Sequence, residues 1–196
     1  MPKTLVLDYL NGIYPLNKLL TSYLSEKLTT VSIKKGRYLV SPLDKEEQLF
    51  FLVKGVVRGF TKLGDKKITT WLETENNWIG RIRNFDYPGD AEEYIEAIED
   101  CKLICIDRKI LQQIYENYIE VNFIGRIVVE RSYAAAEERA FIARLPSARS
   151  KYMRFLQTYP HMMERIPLKH IASFLGVSEE TLSRVRTKMK QIVPKD

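Results

Sequence analysis

The sequence predicts an α+β fold: an N-terminal antiparallel β-roll with flanking helices, a long dimerisation helix, and a C-terminal helix-turn-helix domain of winged-helix-like character. Three observations carry that prediction. Between residues 31 and 107 lie short segments rich in β-branched and aromatic residues, separated by turn signals and not alternating with helices. From Ile119 to Leu145 the chain runs on without proline or a clustered breaker. In Leu168–Thr187 a small residue, a glycine and the apolar positions fall at the spacing of two helices joined by a tight turn.

Taken in order, residues 1–30 are mixed, with a helix expected from about Pro15 to Lys27. Proline suits a first helical turn, and Leu16, Leu19, Leu20, Tyr23 and Leu24 make an apolar stripe. Strands are expected at Val31–Lys35, Arg37–Val40, Leu49–Val53, Val56–Lys62, Ile68–Glu73 and Tyr94–Asp107. Lys35-Gly36, Lys54-Gly55, Leu63-Gly64-Asp65 and Pro88-Gly89-Asp90 supply the turns between them. After Asp107, Ile110, Leu111 and Ile114 return to helical spacing. The long segment from Ile119 carries two apolar stripes. One is Val121, Ile124, Val128, Ala135, Ile142 and Leu145, interrupted by Arg131 and Glu138; the other is Phe123, Ile127, Ala134 and Phe141. A helix with two apolar faces has two things to cover, its own β-domain and a second copy of itself. Ile124, Ile127, Val128, Ala134, Ala135, Phe141 and Ile142 are therefore the expected dimer contacts, with Ala134-Ala135-Ala136 allowing close approach. Pro146 ends this helix and Ser147 caps the next. The expected division is 1–118, 119–145 and 146–196.

Composition narrows the class. Apolar residues make up 45% of 196, enough for a proper core. No run reaches membrane-spanning length, and the first residues lack the apolar stretch of a secretory signal, so a cytoplasmic protein is expected. Cys101 and Cys105 are too few for a disulfide framework or a four-thiolate metal site, and read as buried structural thiols on one face of a strand. Residues 1–145 hold no histidine, and no phosphate-binding glycine loop, nucleophile elbow or zinc motif occurs. No catalytic residue, metal site or cofactor is expected, and a β-barrel enzyme is disfavoured.

The C-terminal segment is the most informative. Ile171 and Leu175 bury one helix, Ala172 lets a second cross closely, and Gly176 takes the left-handed turn. Ser178 caps the second helix, with Glu179 and Glu180 at its positive end. Leu182, Val185 and Met189 face inward, leaving Glu180, Ser183, Arg184, Thr187 and Lys188 on one outer face. Such a face suits base edges: arginine can bond guanine bidentately, glutamate can accept from cytosine, and serine can do either. Ser178, Lys169 and Arg149 complete the expected DNA contacts. Charge supports this, because the chain has 31 Lys/Arg against 25 Asp/Glu, and from Pro146 onward the count is ten against four. The first 145 residues are neutral, so the excess sits on the segment with the motif.

These residues resemble the Crp/Fnr superfamily of bacterial transcription regulators along nearly the whole chain. The marks are Lys35-Gly36, the run Leu49-Phe50-Phe51-Leu52-Val53-Lys54-Gly55-Val56-Val57-Arg58, Gly64-Asp65, Trp78-Ile79-Gly80, and Ala97-Ile98-Glu99-Asp100-Cys101-Lys102-Leu103. The resemblance implies a cyclic-nucleotide-binding-like β-roll, a homodimer on a dyadic DNA site, and RNA polymerase as a further partner. Glu180, Ser183 and Arg184 match the Fnr-type recognition helix and imply half-sites of the TTGAT type, although Glu179 stands where many members have arginine. The roll departs from the cyclic-AMP pattern. Arg81 stands where binding members have a glutamate for the ribose, and the phosphate-pairing arginine would fall near Ala91 in an acidic stretch. No cyclic-AMP binding is expected, and the cysteine and histidine positions also disfavour an iron–sulfur cluster or haem. An effector remains unnamed; Arg58, Trp71, Trp78, Arg81 and Arg83 are the candidates for an anion-accepting pocket. A ligand-free protein-interaction module is the alternative reading.

Overall fold

The computed structural model describes residues 2–44, 48–80 and 93–192. The first described element is α1 (Pro2–Ile13), a helix that the sequence pattern does not announce because Val6 and Gly12 dilute its helical signal. Val6 and Leu10, one turn apart, bury against the roll. Then comes α2 (Lys18–Lys27), which starts after the expected Pro15 because Asn17 is the true cap; its Oδ1 accepts the Leu20 N–H at 2.8 Å.

Among the described residues eight strands follow: β1 (Thr29–Ile33), β2 (Tyr38–Val40), β3 (Gln48–Lys54), β4 (Val57–Leu63), β5 (Lys66–Glu73), β6 (Trp78–Ile79), β7 (Glu93–Ala97) and β8 (Cys101–Asp107). They form two antiparallel sheets, ordered β1-β8-β3-β6 and β2-β7-β4-β5. The expected strand 94–107 is thus two strands in different sheets. The break comes where the Ile98 N–H donates to the Val56 carbonyl at 2.8 Å and Asp100 accepts the Lys35 N–H at 2.9 Å. Alternation along β3 sorts the core: Phe50 and Leu52 point between the sheets, while Phe51 packs on the helices. Gly59 lets Trp71 lie flat on the β4 backbone, since a Cβ there would stand 2.1 Å from the indole. Cys101 and Cys105 are buried in the roll, and burial pushes the Cys101 thiol up to about 11.

Two helices leave the roll, α3 (Arg108–Asn117) and the long α4 (Ile119–Arg144). The two stripes of α4 have different fates. Val121 and Ile124 are buried with the N-terminal helices, Val128 packs on that cluster, and Ile142 enters the C-terminal core. Ile124 and Ile142, expected at a dimer seam, are therefore taken up by this chain's own core, and Val128 and Ala135 turn the same way. On the other stripe Phe123 is 39% and Phe141 50% exposed, and Ala134 is open to solvent. The interrupting charges also have partners: Arg131 donates to the Tyr9 hydroxyl at 3.2 Å, and Glu138 receives Arg154 through two bonds of 2.6 and 2.8 Å.

The remainder, α5 (Ala148–Thr158), a 3-10 turn (Pro160–Met162), α6 (Leu168–Leu175) and α7 (Glu179–Ile192), is helical, with no strand among the described residues after β8. It does not stand apart from the roll. Val56, Leu72 and Ile98 of the roll share one apolar cluster with Phe155, Ile166, Ile171, Ala172 and Leu175. Around it, the Thr69 N–H donates to Ser173 Oγ at 2.9 Å, and the Ser173 hydroxyl donates to the Lys67 carbonyl at 3.2 Å. Arg58, 4% exposed, pairs with Glu96 at 2.5 Å and donates from Nη1 to His170 Nδ1 at 2.7 Å. Arg165 spans Glu75 and Glu99 with four bonds of 2.7 to 3.1 Å and, as the first cause, holds the Glu75 carboxyl down at about 2.

This junction has a pH signature. Burial first, then Arg58, Lys169 and Lys67, push the His170 pKa from 6.5 down to about 4, against a smaller opposing pull from Glu96. Between those values the unfolded chain binds more protons than the folded one, so the His170 contribution falls as pH drops from about 6.5 towards 4. Glu73 works in the opposite sense: burial raises it to about 7, so its contribution falls as pH rises from 4.5 towards 7. A His170→Gln variant keeps an acceptor for Arg58 but does not titrate, and Glu73 cancels in the difference. Urea unfolding at pH 7 and pH 5 is expected to show the wild type losing stability relative to this variant at the lower pH. An unchanged difference would contradict the assignment.

Candidate nucleic-acid interface

The turn between α6 and α7 forms for local reasons. Gly176 ends α6 at φ 66°, ψ 37°, a left-handed conformation that costs L-residues about 1–2 kcal/mol and glycine little. With that turn made, the Val177 N–H reaches the Ala172 carbonyl at 3.0 Å and closes the helix end. Lys151 adds a cation at the same end, its Nζ donating to the Leu175 carbonyl at 3.1 Å. Ser178 then caps α7, its Oγ accepting the Thr181 N–H at 3.1 Å. Leu182 is fully buried against Ile171, Ala172 and Leu175, while Val185 and Met189 pack at the margin.

Once that face is used, the outward residues of α7 are fixed. Glu180, Ser183, Arg184, Thr187 and Lys188 are all exposed. Arg184 and Glu180 pair with each other along the helix, one turn apart, and present a donor and an acceptor side by side. The Thr187 hydroxyl donates to the Ser183 carbonyl at 3.1 Å, and the Ser178 hydroxyl is committed to its cap, so these two offer less than Arg184 does. Lys169, in the first turn of α6, and Arg149, in the first turn of α5, are exposed. Part of the basic excess is structural: Lys151, Arg154 and Arg165 are spent on the α6 end, on Glu138 and on the roll. The docking pairs Arg58–His170 and Thr69–Ser173 leave no mark in the sequence, because the partners lie 112 and 104 positions apart and no spacing rule links them.

The expected effector pocket is only partly assembled. Trp71 and Trp78 line a recess between the roll and α4 with Glu73, Gly80, Ser132 and Arg139. Beside it, Tyr9, Glu73, Trp78, Arg131, Tyr159 and His161 border a cavity of about 300 Å³. Arg58 belongs to neither, because it lies under α6 and is neutralised by Glu96. The Trp71 indole N–H donates to Glu93 at 2.7 Å, and Trp78 packs edge-on to Phe51. Arg81, Arg83 and the position near Ala91 lie outside the described residues. Among the described residues no cluster of three or more His, Cys, Asp or Glu could hold a metal, and no helix is long and apolar enough to cross a membrane.

The fold recurs among known proteins. Residues 30–118 match the family model of the cyclic nucleotide-binding domain. No curated protein matches the chain in sequence. Among solved structures, FixK2 from Bradyrhizobium japonicum superposes with a TM-score of 0.73 at 17% identity, covering 84% of this chain and 85% of that one. A cyclic nucleotide-binding domain containing protein from Listeria monocytogenes gives 0.72 at 15% identity, over 98% and 92% of the two chains. A putative transcriptional regulator of the Crp/Fnr family from Eubacterium rectale gives 0.71 at 19% identity, over 96% and 91%. Residues 30–118 thus resemble the cyclic nucleotide-binding domain, in a chain that has the fold of these solved structures.

Proposed function

We propose that this protein is a sequence-specific DNA-binding transcription regulator of the Crp/Fnr type that acts as a homodimer. The observation that carries the reading is the division of α7, with Leu182 wholly buried and Glu180, Ser183 and Arg184 presented together on the outer face. In a two-fold dimer each α7 enters one major groove, about one helical turn (roughly 34 Å) from its partner. Arg184 reads guanine, Glu180 accepts from cytosine, and Lys169 and Arg149 hold the phosphates. The roll, 1–118, is the input domain; 119–145 joins two copies; 146–196 reads DNA. The effector is not cyclic AMP, because Arg81 and the acidic stretch around Ala91 replace the groups that would hold ribose and phosphate.

The seam between copies is the free stripe of α4. Phe123, Ile127, Ala134 and Phe141 recur at spacings of four and seven, as a two-helix contact needs. This chain's own fold leaves Phe123, Ala134 and Phe141 exposed, so the stripe is available without disturbing the core.

Arg184→Ala is expected to cost about 1–3 kcal/mol on a bound duplex and to relax the preference at one base pair per half-site. Affinity measured across duplexes with single base substitutions checks this; unchanged affinity and preference would remove α7 from the reading role. Ala134→Arg places a charge on an exposed position of the seam. Sedimentation is expected to show a monomer, with DNA affinity down by about 10²-fold or more as the second half-site contact is lost. A dimer of wild-type affinity would show that copies join elsewhere.

A further inference from the structure

We propose that the β4–β5 hairpin is a second phosphate-binding surface, in which Lys62 and Lys67, cross-strand partners on one face, continue the basic edge of α6 and grip the DNA backbone flanking the bases that α7 reads. The inference rests on the DNA-binding reading and extends it to a domain whose family is defined by a different ligand.

Three observations carry it. The hairpin is fixed to the helix-turn-helix by its backbone: Ser173 of α6 accepts from the Thr69 N–H and donates to the Lys67 carbonyl. The first helix of such a motif crosses the DNA backbone, so a hairpin bonded alongside it lies next to phosphates. Arg58 packs on Phe60 at 4.7 Å and meets His170, the neighbour of Lys169, while Lys67 lies over the same Phe60 ring at 5.1 Å, so Lys67 and Lys169 flank one junction.

The second observation is charge without compensation. Neither lysine makes an ion pair among the described residues, and the nearby carboxylates are turned to other work. Glu96 is held by Arg58, and Glu93 accepts from the Trp71 indole and the Thr70 hydroxyl. Asp65 in the turn offsets one charge, and with Lys169 the edge keeps a net positive charge.

The third is pre-organisation. Phe60 and Tyr94 stack at 4.9 Å, with Tyr38 edge-on to Tyr94. The Lys62 ammonium sits 4.6 Å from the Tyr94 ring; that of Lys67 sits 5.1 Å from Phe60 and donates to the Tyr38 hydroxyl at 3.0 Å. Aromatic faces hold both ammonium groups in place while leaving donors free, so less side-chain freedom is lost on meeting a phosphate.

The test uses the full chain and two duplexes centred on one bound site: a short one covering the half-sites, and one extended by about ten base pairs on each side. The variants are Lys62→Gln and Lys67→Gln combined, and the matching double Lys→Arg. On the long duplex the glutamine variant is expected to bind about 10-fold or more weakly at low salt. Its slope of log affinity against log salt should be shallower by about 0.9 per contact removed. On the short duplex it should match the wild type, and the arginine variant should match it on both. A glutamine variant with wild-type slope and affinity on both duplexes would overturn the hairpin surface and leave the α7 reading standing. Equal losses on both would overturn the flanking placement, and a wild type that binds neither duplex would overturn both readings.

Discussion

Everything that faces outward on this protein depends on one apolar contact, the packing of α6 and α5 onto the roll. Val56, Leu72 and Ile98 on one side meet Phe155, Ile171 and Leu175 on the other, with Ile142 of α4 closing the gap. Each fully buried side chain of this size is worth about 1.5–3 kcal/mol. The surrounding ion pairs weigh less: Arg165 and its carboxylates are about 30% exposed, and such pairs contribute up to about 1 kcal/mol each. Apolar burial therefore holds the junction, and the polar bonds set its register. Arg58 is the exception, because it is buried, so losing Glu96 would strand a charge.

The same cluster decides which side of α7 is free. Leu182 enters it beside Ala172, so the helix cannot rotate without exposing a fully buried leucine or forcing the polar row inward. α4 obeys a parallel constraint. Its inner stripe is bound to the N-terminal helices at one end, through Val121 and Ile124, and to the C-terminal core at the other, through Ile142. One rigid element thus touches the input roll, the output domain and, through its outer stripe, the surface proposed to meet a second copy. A shift at the Glu73–Arg139 recess would act on the same helix that carries Ile142.

Local chemistry was readable in the sequence, and long-range partnership was not. Gly176, Ser178, Ala172 and Leu182 each have one favoured role at their spacing, and the structure places them in it. The cap at Ser147 and the two stripes of α4 were legible for the same reason, since period and capping are local rules. What failed needed contacts far along the chain. Ile124 and Ile142 look the same as Phe141 in a stripe count, and only the packed structure separates them. The split of 94–107 into β7 and β8 depends on Val56 and Lys35 supplying bonds to Ile98 and Asp100. Arg58 read as an anion ligand because the sequence could not show Glu96 beside it or α6 above it. Likewise Arg154 and Arg165 counted towards a DNA-facing charge, although both are held by carboxylates.

The central claim is that two copies of α7 read one dyadic site. Selection of bound sequences from random duplex DNA with the full chain tests it most directly. The account predicts enrichment of a two-fold symmetric sequence whose half-sites are centred about one helical turn apart. Enrichment of a single unpaired half-site, or of no sequence at all, would contradict it.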